Sequence, residues 1–145
     1  MAKLIATRNA QWPLMAEFTF NYSDTMVNTA GAEVDFGKVN LGGTAGKFDI
    51  INLPENAVVV GGEVVTETAF DTAGFDVTIG DSGDEDRYLA SADLKAASRT
   101  ALTPTGAYNA TSAIRMTFSS DDVCTAGKMT VRVLYVIPGR ANENA

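Results

Sequence analysis

Along Val58, Val60 and Val64, and again along Phe75, Val77 and Ile79, apolar side chains return at alternate positions, with Glu63, Glu67, Asp76 and Thr78 between them. That period of two is the signature of strands with one face buried and one in water. The stretch from Ala57 to Asp81 therefore predicts a hairpin of one long and one shorter strand, divided by the turn Asp71-Thr72-Ala73-Gly74, with the other strands packing over its apolar face. Gly61-Gly62 strips side chains from both faces of the long strand at once, which marks a β-bulge; close approach of a ligand or partner backbone is the alternative.

The same pattern extends in both directions. Leu14, Ala16, Phe18, Phe20 and Tyr22 alternate with Met15, Glu17, Thr19 and Asn21, a strand with one wet face that ends before the turn Asn28-Thr29-Ala30-Gly31. Val34 to Phe36 with Val39 to Leu41 give a less regular strand, and Phe48 to Ile51 another, closed by Leu53-Pro54-Glu55-Asn56. The alanine-rich segment Leu89 to Ala97 predicts a helical turn or two, followed by a weak strand near Arg99 to Leu102. Ile114, Met116 and Phe118 form an inward face, and after the polar loop Ser119 to Gly127 a last strand carries Met129, Val131, Val133, Tyr135 and Ile137. About eight short strands, at most one short helical segment and no alternation of strand with helix predict an all-β, antiparallel two-sheet sandwich, with eight strands favouring a jelly roll.

The organisation expected is an arm over residues 1–13, a β-sandwich domain over 14–138 and a polar tail over 139–145. The arm carries Lys3 and Arg8 without an acid and ends in Gln11-Trp12-Pro13. Its Leu4 and Ile5, together with Trp12, Leu14 and Arg140 of the tail, are the candidate partner-interface residues, because large apolar or amphipathic side chains near chain ends serve as anchors for neighbouring subunits. Trp12 covering an edge of its own core is the competing reading.

At 145 residues the chain has the length of one domain. Its net charge of −7 and singly scattered Lys and Arg disfavour nucleic-acid binding. No apolar run has the roughly 20 residues needed to span a bilayer, and no secretory signal is apparent. One cysteine, Cys124, suits synthesis in a reducing cytoplasm.

Chemistry is thinly provided. The sequence has no histidine, which removes the commonest general base and metal ligand and every Ser-His or Cys-His nucleophile. Cys124 follows Asp121 and Asp122, whose charges oppose thiolate formation, so an inert thiol is expected. Asp81, Asp84, Glu85 and Asp86 form an acidic loop without the spacing of a helix-loop-helix calcium site, and a solvated turn accounts for it. The sequence thus points to no catalytic, cofactor-binding or metal-binding residues.

The run from Phe48 to Ala96 resembles small accessory head proteins of tailed bacteriophages. The resemblance is carried by Leu53-Pro54 before the valine strand, Thr68-Ala69-Phe70-Asp71, Thr78-Ile79-Gly80-Asp81, Asp86-Arg87-Tyr88-Leu89 with Asp93-Leu94, and the final GKMTVRVLYVIP of Gly127 to Pro138. It implies a non-enzymatic capsid decoration or cement protein of jelly-roll type, on the outer capsid surface of the virion. Such a protein binds the major capsid protein lattice, bridges capsomers and associates with itself as a homodimer or homotrimer. A receptor- or carbohydrate-binding module of a phage tail or fibre is the alternative, since sandwiches of this size host that function too. Its expected sign is a groove of exposed aromatics, for which Trp12, Tyr22, Tyr88, Tyr108 and Tyr135 are dispersed in sequence.

Overall fold

A computed structural model describes residues 12–37, 43–71, 75–105 and 113–137. In chain order its strands are β1 (Leu14–Asn21), β2 (Thr25–Val27), β3 (Glu33–Asp35), β4 (Lys47–Ile51), β5 (Val58–Thr68), β6 (Asp76–Gly80), β7 (Leu89–Asp93), β8 (Ser98–Ala101), β9 (Ile114–Ser119) and β10 (Lys128–Val136). The only helical piece among the described residues is a 3-10 turn at Gly43–Gly46.

Two four-stranded antiparallel sheets, ordered β1-β10-β5-β8 and β4-β9-β6-β7, enclose the core, and β2 and β3 form a separate hairpin. With that hairpin set aside, the eight remaining strands pair first with last (β1 with β10), second with seventh (β4 with β9), third with sixth (β5 with β8) and fourth with fifth (β6 with β7). Successive pairs fall alternately into the two sheets, so the chain is a folded-over ribbon wrapped around its own core. This nesting is the jelly roll.

Phenylalanines fill the space between the sheets. Phe118 of β9 meets Phe20, Phe36, Phe70 and Phe75 edge-on at ring distances of 5.7, 5.6, 5.6 and 5.1 Å. Phe20 of the opposite sheet stacks on Phe36 at 4.3 Å. Each such pair contributes about 0.5–1.5 kcal/mol beyond area burial, which ties β1, β9 and the β5–β6 connection to one centre.

Three expectations are corrected. First, β5 and β6 are not a hairpin: β5 lies between β10 and β8, and β6 between β9 and β7. Alternation marks a buried face without saying which strand pairs with which. Phe70 and Phe75, stacked at 5.1 Å at the ends of the connection, carry the chain across the core from one sheet to the other. Second, the long strand changes phase. Val59 is buried and Val60 is 49% exposed, whereas further on Val64 and Thr66 are buried. Val60 is an extra residue in the ladder, since Tyr135 pairs with Val59 and Leu134 with Gly61, which is the bulge expected at the glycines. Gly62 has φ of +135°, and a Cβ there would run into the Arg132 carbonyl oxygen. Third, the alanine-rich segment is strand β7, not helix. Pairing with β6 and burial of Leu89 and Ala92 override the helical preference of alanine. Of the expected strand over Val34 to Leu41, β3 is seen; positions 38–42 lie outside the described residues, as do Thr72 to Gly74 of the expected turn.

Candidate interaction surface

The outer face of the β1-β10-β5-β8 sheet is built by alternation. Because Phe20, Val131, Val133 and Val64 turn inward and are buried, their neighbours Glu17, Thr19, Arg132 and Glu63 turn outward. Glu17, Arg132 and Glu63 stand in one cross-strand row. Arg132 Nε donates to Glu17 Oε2 at 2.7 Å, and its second nitrogen, Nη1, donates to Glu63 Oε1 at 3.0 Å. From the edge strand β8, Arg99 reaches back to the same carboxylate, with Nε to Oε2 at 2.9 Å and Nη2 to Oε1 at 2.5 Å. The row alternates acid, base, acid, base across four strands.

Protonation follows from this geometry. The hydrogen bond from Arg99 outweighs burial and, joined by that from Arg132, holds Glu63 below the usual carboxylate range. Both guanidinium groups are pushed up in turn, Arg99 by Glu63 and Arg132 first by Glu17 and then by Glu63. A second pair lies further along the same strands. Lys128 Nζ is 3.2 Å from Glu67, which also accepts from Thr130 Oγ1 at 2.8 Å, and these hydrogen bonds, Thr130's first, lower the Glu67 pKa.

Towards the other end of the sheet the outer face becomes apolar. Met15, Leu134, Val60, Val58 and Val136 share it, with Met15 56% exposed. An open groove of about 220 Å³ runs between Met15, Leu134, Gly62, Glu63 and Arg132. A Cβ added at Gly61 would touch only Leu134 Cδ1, at 3.8 Å, so the surface is hollow there.

Of the residues singled out from sequence, Trp12 and Leu14 sit at the start of β1, 86% and 38% exposed. Trp12 therefore does not cover its own core. They adjoin Met15 and the apolar end just described; Leu4, Ile5 and Arg140 lie outside the described residues. The charged row was missed as a unit: alternation put Glu63 and Arg132 on wet faces, but their juxtaposition depends on a register between distant segments that no local pattern encodes.

The loops hold themselves. Asp71 accepts from Cys124 Sγ at 2.9 Å, from the Thr125 amide at 3.0 Å and from the Thr125 hydroxyl. These hydrogen bonds, led by that of Cys124, pull the Asp71 carboxyl far below its ordinary range. Burial first, and the Asp71 hydrogen bond second, push the Cys124 thiol up, so it stays protonated and unreactive. In the acidic loop, Asp81 accepts from the amides of Gly83 and Asp84 at 3.0 and 2.9 Å and from Arg87 Nε at 2.8 Å. Lys47 lies 2.6 Å from Glu85. Among the described residues no group of three or more His, Cys, Asp or Glu is arranged to hold a metal ion. The tyrosines do not converge: Tyr88 is buried, Tyr22 and Tyr135 are half-buried on separate strands or loops, and Tyr108 lies outside the described residues.

No model of a known protein family matches the sequence, and no curated protein matches it. Solved structures do. One chain of the capsid asymmetric unit of cyanophage Pam1 superposes with a TM-score of 0.61 at 18% identity, over 94% of this chain and 94% of that one. A chain of the acid-stable capsid of Helicobacter pylori bacteriophage KHP30 superposes with a TM-score of 0.56 at 19% identity, over 89% and 90%. At these identities the likeness is one of fold, and it extends over nearly the whole of each chain.

Proposed function

We propose that this chain is a structural protein of a tailed-phage virion, and within the virion a decoration or cement protein. It binds the lattice of the major capsid protein from outside and bridges neighbouring capsomers, after synthesis in the host cytoplasm. The observation that carries this reading is the end-to-end likeness of its jelly roll to chains of two phage capsids. The absence of histidine from the sequence fits a protein that grips rather than reacts.

Attachment draws on two features. Edge strands β1, β8, β4 and β7 present backbone donors and acceptors to a partner strand. Ahead of β1, the segment 1–13 carries Leu4, Ile5 and Trp12 together with Lys3 and Arg8; thirteen residues reach at most roughly 45 Å when extended, enough to lie across a junction between subunits. Each contact need only be modest, because a lattice repeats it and linked copies gain by effective concentration.

The test is removal of residues 1–12, which precede the first strand. The shortened chain should keep the circular dichroism and melting temperature of the full one yet bind undecorated particles of its phage at least about tenfold more weakly, the loss of about 1.4 kcal/mol. Unchanged particle occupancy would remove the arm from the account, and specific retention on a glycan array would replace capsid binding by carbohydrate recognition.

A further inference from the structure

Four strands bound the two sheets, and three of them carry features that discourage a further strand from pairing. Strand β8 is four residues long and bears Arg99, whose side chain is 69% exposed. The ladders of β4 and β7 are interrupted, β4 slipping register between Asp49 and Ile51 and β7 between Leu89 and Ala92. Strand β1 has none of these features. It runs for eight residues in unbroken register with β10 and contains no Lys, Arg or Pro.

Which backbone groups of β1 stay open follows from its ladder. The Tyr22 amide donates to the Gly127 carbonyl at 2.9 Å, one step beyond the pair Asn21 and Lys128. Bonded and open positions alternate in an antiparallel pair. Phe20, Phe18 and Ala16 therefore bond to β10 as well, while Met15, Glu17 and Thr19 turn N–H and C=O towards the free edge. Asn21 ends that set, because its amide donates to Asp24 Oδ2 at 2.8 Å and its carbonyl accepts from the Asp24 amide at 3.0 Å. Beside this edge lies an open cleft of about 500 Å³, with an apolar wall of Phe18, Phe20, Met26 and Phe36 and with Thr19 and Thr25 at its sides. Phe18 and Met26 are only half-buried there. Among the described residues no strand lies beyond β1.

We propose that this cleft takes an extended segment of another polypeptide, which adds to β1 as a fifth strand of its sheet. In the virion that segment belongs to the shell protein, a step that rests on the function proposed above. The edge sets the chemistry of the segment. Paired antiparallel, it exchanges hydrogen bonds with the N–H and C=O of Met15, Glu17 and Thr19. Directly opposed residues share a face of the sheet, so the side chains opposite Ala16, Phe18 and Phe20 enter the cleft and are apolar, and those opposite Glu17 and Thr19 are polar. The charged side chains of residues 14–27 are Glu17 and Asp24, both acids, so the segment carries Lys or Arg. A second β1 in that place brings no base to meet them.

The probe is an end-capped peptide, Lys-Val-Thr-Val-Lys-Val-Thr-Lys, whose alternation follows that rule. Added at about 1 mM to the full chain, it half-fills a site of Kd about 1 mM. Nuclear magnetic resonance should show the amides of Met15, Glu17 and Thr19 shifting saturably while those of Arg99 and Ala101 on β8 stay in place. The same peptide N-methylated at its two Thr and its central Lys should shift none of them. Thr19→Pro removes an outward donor, a change that an edge strand tolerates, and should fold but lose the response. Ala101→Pro is the matched control. The Leu102 amide donates to the Gly62 carbonyl at 3.0 Å, so the Ala101 amide points off the β8 edge, and its proline should leave the response intact. On undecorated phage particles Thr19→Pro should bind at least about tenfold more weakly than the wild type or Ala101→Pro. Absent shifts in the wild type, equal shifts on β8, or shifts kept in Thr19→Pro would overturn the cleft as a strand site; if Thr19→Pro fails to fold, the wild type with the methylated peptide decides. The same shifts appearing without peptide as the chain is concentrated would make a second copy the occupant and overturn the proposal. Equal binding of wild type and folded Thr19→Pro to particles would overturn the shell segment as occupant. A wild type that binds no particle would contradict the capsid reading instead, and the peptide then judges the cleft.

Discussion

Asp71 shows how much one side chain settles in this fold. It stands in the β5–β6 connection that crosses between sheets and gathers the Cys124 thiol and the Thr125 amide and hydroxyl, so one carboxylate ties the loop before β10 to that connection. Its pKa is depressed on folding. Its contribution is therefore complete above the unfolded value of about 3.9 and is lost as pH falls towards the folded value. Asp71→Asn should lower the melting temperature at pH 7, and the gap between variant and wild type should hold down to about pH 5 and narrow below pH 4. Melts followed by circular dichroism across that range check it; a gap that is constant to pH 2 would mean that shape, not charge, fastens the loop. An inert Cys124 was legible from its acidic neighbours in sequence, but the acid that matters is Asp71, 53 positions away.

Strand β5 separates what a pattern can reveal from what it cannot. Alternation and the paired glycines disclose a strand and a bulge, and the strands β1, β4, β8, β9 and β10 are legible for the same reason: a half-buried strand writes its two faces into the sequence. The bulge then reverses the faces, so that Val59 rather than Val58 and Val60 is buried. The strand's partners, β10 and β8 rather than β6, are set by the wrapping of the whole chain. Segment β7 reads falsely because its alanines advertise helix while its environment supplies a strand to pair with. The two glycines of the bulge make unequal demands. At Gly62 the left-handed backbone and the Arg132 carbonyl exclude a side chain, so Gly62→Ala should cost about 1–3 kcal/mol from backbone strain alone. Gly61→Ala should change stability by less than about 0.5 kcal/mol, its nearest neighbour being Leu134 Cδ1 at 3.8 Å. Urea unfolding of both variants measures the difference, and equal losses would contradict the bulge as described.

At the scale of the molecule, the eight nested strands leave the outer face of the β1-β10-β5-β8 sheet with a charged row towards one end and exposed Trp12, Leu14 and Met15 at the start of β1. The residues expected to anchor a partner fall partly at that same end, through Trp12 and Leu14, while the charged row becomes visible only once register has joined Glu17, Arg132 and Glu63 and the Arg99 side chain has reached back from its place beside Val65. Under the proposed function the chain acts by repetition, since many modest contacts over a lattice sum to a firm one. For the proposed decoration role the most direct measurement is quantitative mass spectrometry of purified heads of a phage that encodes this sequence, with the chain counted against the major shell subunit. The account predicts a fixed ratio and on the order of hundreds of copies per particle, as a reinforcement spread over a symmetric shell requires; a handful of copies, or none, would contradict it.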